Sequence, residues 1–210
     1  MSKAQTFEKL KIEIRKRIEK HDPAHDFEHI MRVYRNAEQI AKKEGADMKI
    51  VLTAALLHDI VSYKKSDPRS KNSSSESAKE AKKILQRHNY GSNEIKIISD
   101  AINEHSFSKG VVPKTLEGKV LQDADRLDAI GSVGIARAFA VGGAEGRSFY
   151  NIQDPFCVSR YPDDSKWTID HFYKKLLLLD KKMNTKTAKI EARRRIKIMK
   201  QFLKQLEREI

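Results

Sequence analysis

The chain has 210 residues, enough for one well-buried domain or for a domain with a small appendage. With 39% hydrophobic and 34% charged residues it reads as soluble and globular rather than disordered. No apolar run approaches the roughly 18–20 residues that a membrane-spanning helix needs. The charged N-terminus lacks the apolar core of a secretory signal. A single cysteine, Cys157, excludes an intrachain disulfide, and a cytoplasmic setting is the simplest expectation.

The formal net charge is +13, and it is unevenly placed. Residues 174–210 hold thirteen Lys/Arg against four Asp/Glu, and residues 1–20 hold seven against three. The stretch between them is formally neutral. The basicity therefore lies in two terminal helical segments, best read as solvated helix faces. Recruitment to an anionic partner or membrane surface is the alternative.

Helical periodicity runs almost throughout. Phe7, Leu10, Ile14 and Ile18 form an apolar stripe on a first helix. A second helix is expected from about Asp26 to Glu44, stopped by Gly45, and a third over Met48–Ile60, capped by Asp47. The polar stretch 62–76 reads as a loop, with Ser73 and Glu76 as a capping box opening a helix to about His88. Gly91 is expected to end that helix, and Ser92 to begin another. A helix over Leu116–Ala129 follows a second loop. Glycines at 131, 134, 142, 143 and 146 predict short helices and loops over 131–166. Thr168–Met183 and Thr185–Ile210 complete the set. The expected fold is all-α, a globular bundle of about eight or nine helices. It is read as one domain over residues 1–210, with a motif-bearing core at about 20–140 and a helical extension at about 141–210.

Three elements carry chemistry. His58 and Asp59 end the apolar run VLTAALLHDI, where burying an imidazole beside a carboxylate is costly unless both are paired or coordinated. Nitrogen plus carboxylate oxygen suits Mn²⁺, Fe²⁺, Co²⁺, Ni²⁺ or Zn²⁺ better than Ca²⁺; a structural pair or helix-end cap is the bland alternative. In HDPAHDFEHIMRV, His25 and His29 lie four apart and share a face if both are helical, with Arg32 next on that face. In VLQDADRLDAIG, Asp125 and Asp128 lie near one face, whereas Asp123 is about 200° from Asp125 around a helix.

In this order on successive helices, these elements resemble the HD-domain superfamily of metal-dependent phosphohydrolases. The matching pieces are H-x-x-R-V at His29–Val33, LLHDI at Leu56–Ile60 and ADRL at Ala124–Leu127. The surrounding text resembles the stand-alone bacterial YedJ/YpgQ-like branch. The resemblance implies His29, His58, Asp59 and Asp125 as ligands of one divalent transition-metal ion, Mn²⁺ first, with Co²⁺, Ni²⁺, Fe²⁺ or Zn²⁺ as alternatives. Hydrolysis of a phosphate ester or anhydride follows, with a nucleotide as the expected substrate and phosphate or pyrophosphate as product. Asp59 and Asp125 would share the orientation of the attacking water, and His105 is a candidate general acid. Arg32, Lys64, Lys65, Arg69, His25 and Asp128 are the substrate-binding candidates.

Three other classes compete: a non-catalytic HD module that senses a nucleotide, a nucleic-acid-binding helical protein, and a metal-dependent oxygenase, which would need more ligands than the four that match. The second is disfavoured, because no DNA-binding helical motif appears and few aromatics interleave with the basic residues. The stretches 62–76 and 131–166 offer a lid or an interface, so a homodimer is compatible with the sequence.

Overall fold

A computed structural model describes residues 3–18, 26–63 and 67–210. The described residues form nine α-helices, three 3₁₀ segments and no strand. The all-α expectation is thereby met. His25, Lys64 and Lys65 lie outside the described residues. The chain divides into two compact units, Met1–Asp125 and Arg126–Ile210.

The first unit holds α1 (Lys3–Ile18), α2 (Phe27–Glu44), α3 (Met48–Leu57), α4 (Ser73–Arg87), α5 (Ser92–Glu104) and most of α6 (Leu116–Asp128). Its centre is α3, buried at seven of its ten positions from Ile50 to Leu57, as a helix that is apolar all round must be. Helices α2 and α5 pack on α3, and α4 packs on α5. Helix α1 buries Leu10, Ile14 and Ile18, while Phe7 stays half-buried against Tyr34. Two ion-pair groups tie α1 to α4: Glu13 with Arg87 and His88, and Arg17 with Glu80. Caps appear where short polar side chains satisfy orphan amides. The Asp26 and Asp47 side chains accept from the amides of His29 and Ile50, and Gly45 closes α2 at φ 75°.

Four boundaries differ from expectation. Helix α3 stops at Leu57, so His58 and Asp59 stand in the turn beyond it rather than inside a helix reaching Ile60. Ser73 is not a cap. Pro68–Asn72 is a 3₁₀ turn that runs straight into α4, Asn72 is the N-cap without a side-chain bond, and Glu76 accepts from the Tyr63 hydroxyl at 2.5 Å instead. Gly91 does not end α4. Asn89 takes the left-handed conformation at φ 56°, and Gly91 is the extended N-cap of α5, its amide donating to Glu94. The helix expected over Thr168–Met183 breaks at Lys175 (φ −136°, ψ −58°) into α8 (Thr168–Lys174) and a 3₁₀ segment, Leu176–Lys182.

The second unit packs α7 (Gly131–Ala144) and the 3₁₀ segment against α9 (Lys186–Leu206), with α8 beside α7. Helix α7 corrects a further expectation: four glycines do not fragment it. A Cβ at Gly134 would stand 2.3 Å from the Ala129 carbonyl oxygen, and one at Gly142 2.2 Å from Thr168 Oγ1. Both glycines are there for close approach, and packing outweighs their low helix propensity. The connection 145–167 is irregular, held by a buried Asp170 that takes two bonds from Arg160. Helix α9 starts from Thr185 as expected and ends at Leu206, short of Ile210.

Candidate metal centre

Each ligand-type side chain is aimed by a local device. On α2 the Asp26 cap fixes the first turn, which carries His29 on the same stripe as Ile30, Val33 and Ala37, all fully buried. His58 follows α3 and His105 follows α5, each as the C-cap. His58 Nδ1 lies 2.8 Å from the Ala55 carbonyl oxygen, and His105 Nδ1 lies 2.6 Å from that of Ile102. A carbonyl only accepts, so Nδ1 carries the proton in both rings. Nε2 of a neutral ring is then a lone pair aimed inward. The negative ends of two helix dipoles reach the same region.

Around that region His29 Nε2 and His58 Nε2 are 3.2 Å apart. Asp59 Oδ2 lies 3.5 Å from His29 Nε2 and 3.6 Å from His58 Nε2. Asp125 Oδ1, from the last turn of α6, lies 3.8 Å from His29 Nε2. His105 Nε2 faces the other oxygen of Asp59 at 3.6 Å, and its ring stands edge-on to His58. Two overlapping groups have ligand atoms close enough to share an ion: His29, His58 and Asp125, and His58, Asp59 and His105. Metal–nitrogen and metal–oxygen bonds of about 2.1 Å place adjacent ligand atoms roughly 3–3.4 Å apart, close to the separations found here. The donor set therefore fits a divalent transition metal.

The three imidazoles are buried, whereas the Asp59 and Asp125 side chains keep 14% and 26% of their surface exposed. The centre is thus closed on its histidine side and open on its carboxylate side. Electrostatics separates the histidines. Burial pulls His58 down to about 4, against the opposing pull of Asp59, so it stays neutral. Burial pushes His105 the same way, but its contact with Asp59 and the charge of Asp125 outweigh this and raise it. Burial would raise Asp125, but the neighbouring imidazoles overcome it and hold the carboxyl below its ordinary range.

The other sequence candidates are dispersed. Asp123 is fully buried on α6 and belongs to neither group. Arg32 is half-buried on α2, three residues past His29. Arg69 is bound to Asp67 at 2.8 Å and lies over the Tyr63 ring. Asp128 is buried in the second unit, where Arg137 holds it at 2.5 Å.

Supporting residues went unnoticed in the sequence. Asn36 Nδ2 donates to the Ala124 carbonyl, locking α2 to α6 beside Asp125. Gln122 Nε2 donates to the carbonyls of Glu104 and Val111, fixing α6 against the end of α5. Ser77 Oγ accepts from the Val61 amide and donates to its carbonyl, pinning the chain just after the doublet. One signal was available: Asn36 lies seven residues after His29, two turns along the same apolar stripe.

The family model described as HD domain matches residues 26–130. YpgQ of Bacillus subtilis is 40% identical over 190 residues, covering 89% of this chain and 84% of that protein. The crystal structure of YpgQ in complex with ADP matches with a TM-score of 0.78 at 36% identity, covering 100% of this chain and 97% of that one. An HD-superfamily hydrolase from Bacillus thuringiensis matches with a TM-score of 0.77 at 35% identity, covering 99% and 98%. A Listeria innocua protein matches at 0.76 and 35%, covering 100% and 97%.

Proposed function

Because the chain belongs to the HD-domain family, we propose that it is a metal-dependent phosphohydrolase that cleaves a phosphate ester or anhydride of a nucleotide. The observation that carries this reading is the pair of buried ring nitrogens, His29 Nε2 and His58 Nε2, 3.2 Å apart and flanked by two carboxylates. With the His58 proton committed to Ala55, its Nε2 is an acceptor that either a proton on His29 Nε2 or a cation satisfies, and the two flanking carboxylates favour the cation. His29, His58, Asp59 and Asp125 would hold it. When bound, a divalent metal supplies Lewis acidity for water activation and for phosphoryl charge.

The remaining chemistry falls to the side chains. Asp59 presents Oδ2 to His29 and His58, and Oδ1 to His105, so one carboxylate both binds and orients. His105 Nε2 faces Asp59 Oδ1, and from that position the imidazole would pass a proton to the leaving oxygen. The partly exposed Asp59 and Asp125 mark the side from which a phosphate approaches. Arg32 is the first candidate to meet its charge, with Lys64, Lys65, His25 and Arg69 as further candidates. The ADP in the YpgQ crystals supports a nucleotide as the substrate class.

The test incubates metal-stripped protein with nucleoside mono-, di- and triphosphates, with and without Mn²⁺, Co²⁺ or Ni²⁺, beside Asp59→Ala. Phosphate and pyrophosphate release are measured together with bound metal by elemental analysis. Metal-dependent turnover that the variant lacks is the expected result. Metal binding without turnover of any nucleotide would replace the hydrolase reading with a nucleotide sensor.

A further inference from the structure

Helix α9 carries six cations on one narrow line. Lys186, Lys189, Arg193, Lys197, Lys200 and Lys204 are all exposed. At 100° per residue they fall within an arc of about 80°, and the line extends about 27 Å at 1.5 Å per residue. Glu191 is the only acidic residue of the helix. It lies outside this arc and is taken by Arg194 and Arg195. No carboxylate among the described residues lies within ion-pair distance of the six. Residues 186–206 thus show an unneutralised cationic edge, and not the interleaved signs of an ordinary solvated helix face.

We propose that this edge of α9 is a docking surface for double-stranded nucleic acid, bound through its phosphates without regard to sequence. Charge complementarity is the first argument. A duplex carries one negative charge per roughly 1.7 Å of axis, and Lys/Arg contacts gain affinity by releasing its condensed counterions. A straight line of cations spaced about 4.5–6 Å along a rigid helix matches a linear polyanion. The second argument decides between polyanions. A helix that adsorbs to a lipid surface buries its apolar face there, but the apolar face of α9 (Ala188, Ala192, Ile196, Met199 and Leu203) is already buried in the protein, leaving Ile190 as the one strongly exposed apolar residue of the helix. The third excludes single strands as the preferred form. Binding to them uses aromatic platforms for the bases, and the edge has none. The surface does not depend on the hydrolase reading, since it lies wholly within the second unit.

The experiment measures binding of the full chain to two 20-base-pair duplexes of unrelated sequence, by fluorescence anisotropy across about 50–200 mM salt. Both duplexes should bind alike, with log affinity falling against log salt at a slope of about −4 to −5, near −0.9 per phosphate met. The triple variant Arg193→Gln, Lys197→Gln, Lys200→Gln should lower that slope by about 2 to 3. Its melting temperature and its nucleotide turnover should stay those of the parent. A control triple, Lys42→Gln, Lys43→Gln, Lys79→Gln, removes equal charge from exposed lysines of the first unit and should leave the slope unchanged. Equal loss in the two triples would overturn the proposal in favour of bulk charge. Stripe-dependent binding to phosphatidylserine vesicles without duplex binding would overturn it in favour of a membrane. No salt-sensitive binding to either probe would remove it altogether.

Discussion

His58 and His105 occupy the same local position, one residue past a helix, and each returns Nδ1 to the carbonyl three residues earlier. Their surroundings then divide their roles. His58 is fully enclosed and held near 4, so it remains a neutral donor. His105 is lowered by burial but raised more by its contact with Asp59. Replacing His105 by Ala or by Gln should leave bound metal unchanged while kcat falls about 10²-fold or more. Restoration of kcat by Gln, which keeps a hydrogen-bonding group but cannot transfer a proton, would reduce His105 to a positioning role. Asp123 and Asp125 of α6 separate the same way. Asp125→Asn should abolish metal uptake, measured by elemental analysis. Asp123→Asn, at a buried site outside both groups, should retain the metal and cost about 1–3 kcal/mol in urea unfolding.

At the scale of the element, α7 holds glycines of two kinds. A Cβ at Gly134 would meet the Ala129 carbonyl oxygen at 2.3 Å, whereas one at Gly143 meets nothing within 4 Å. Alanine normally favours a helix over glycine by about 0.5–1 kcal/mol. Gly143→Ala should therefore stabilise by about that amount. Gly134→Ala should destabilise by about 1–3 kcal/mol, because backbone must move to relieve the overlap. Urea midpoints of the two variants should move in opposite directions. The same element explains why the sequence misled: glycine reads as interruption when its neighbours are unknown, and as close packing once Ala129 and Thr168 are in place.

Across the whole molecule, the second unit concentrates depressed carboxylates. Asp154 is held at about 2 by the amides of Val158 and Ser159. Asp164 is held at about 2 by Lys174 and His171 against its burial, and Glu191 at about 2 by Arg194 and Arg195. A folded-state value below the unfolded one stabilises the protein above the unfolded carboxylate pKa of about 4, and that contribution is lost as pH falls towards 2. The single tryptophan, Trp167, lies in this unit under the Arg160 guanidinium, so its emission reports on it. The thermal midpoint followed by Trp167 should be level above about pH 5 and fall steeply between pH 4 and 2. A midpoint constant across that window would show that these pairs contribute nothing.

The helical class, the Asp47 cap and the Gly45 stop, the helix starts near Asp26 and Thr185, and the ordered trio of histidine, His-Asp and aspartate were legible in the sequence, because periodicity, capping chemistry and spacing act over one or two turns. Tertiary structure alone decided what depends on residues distant in the chain. It brought His29, His58 and Asp125 together in one group and His58, Asp59 and His105 in a second that overlaps it, and set Asn36 and Gln122 to hold that geometry. Its reason is physical: a buried imidazole or carboxylate is tolerable only beside a partner, and no local pattern in the chain says which distant group that partner will be.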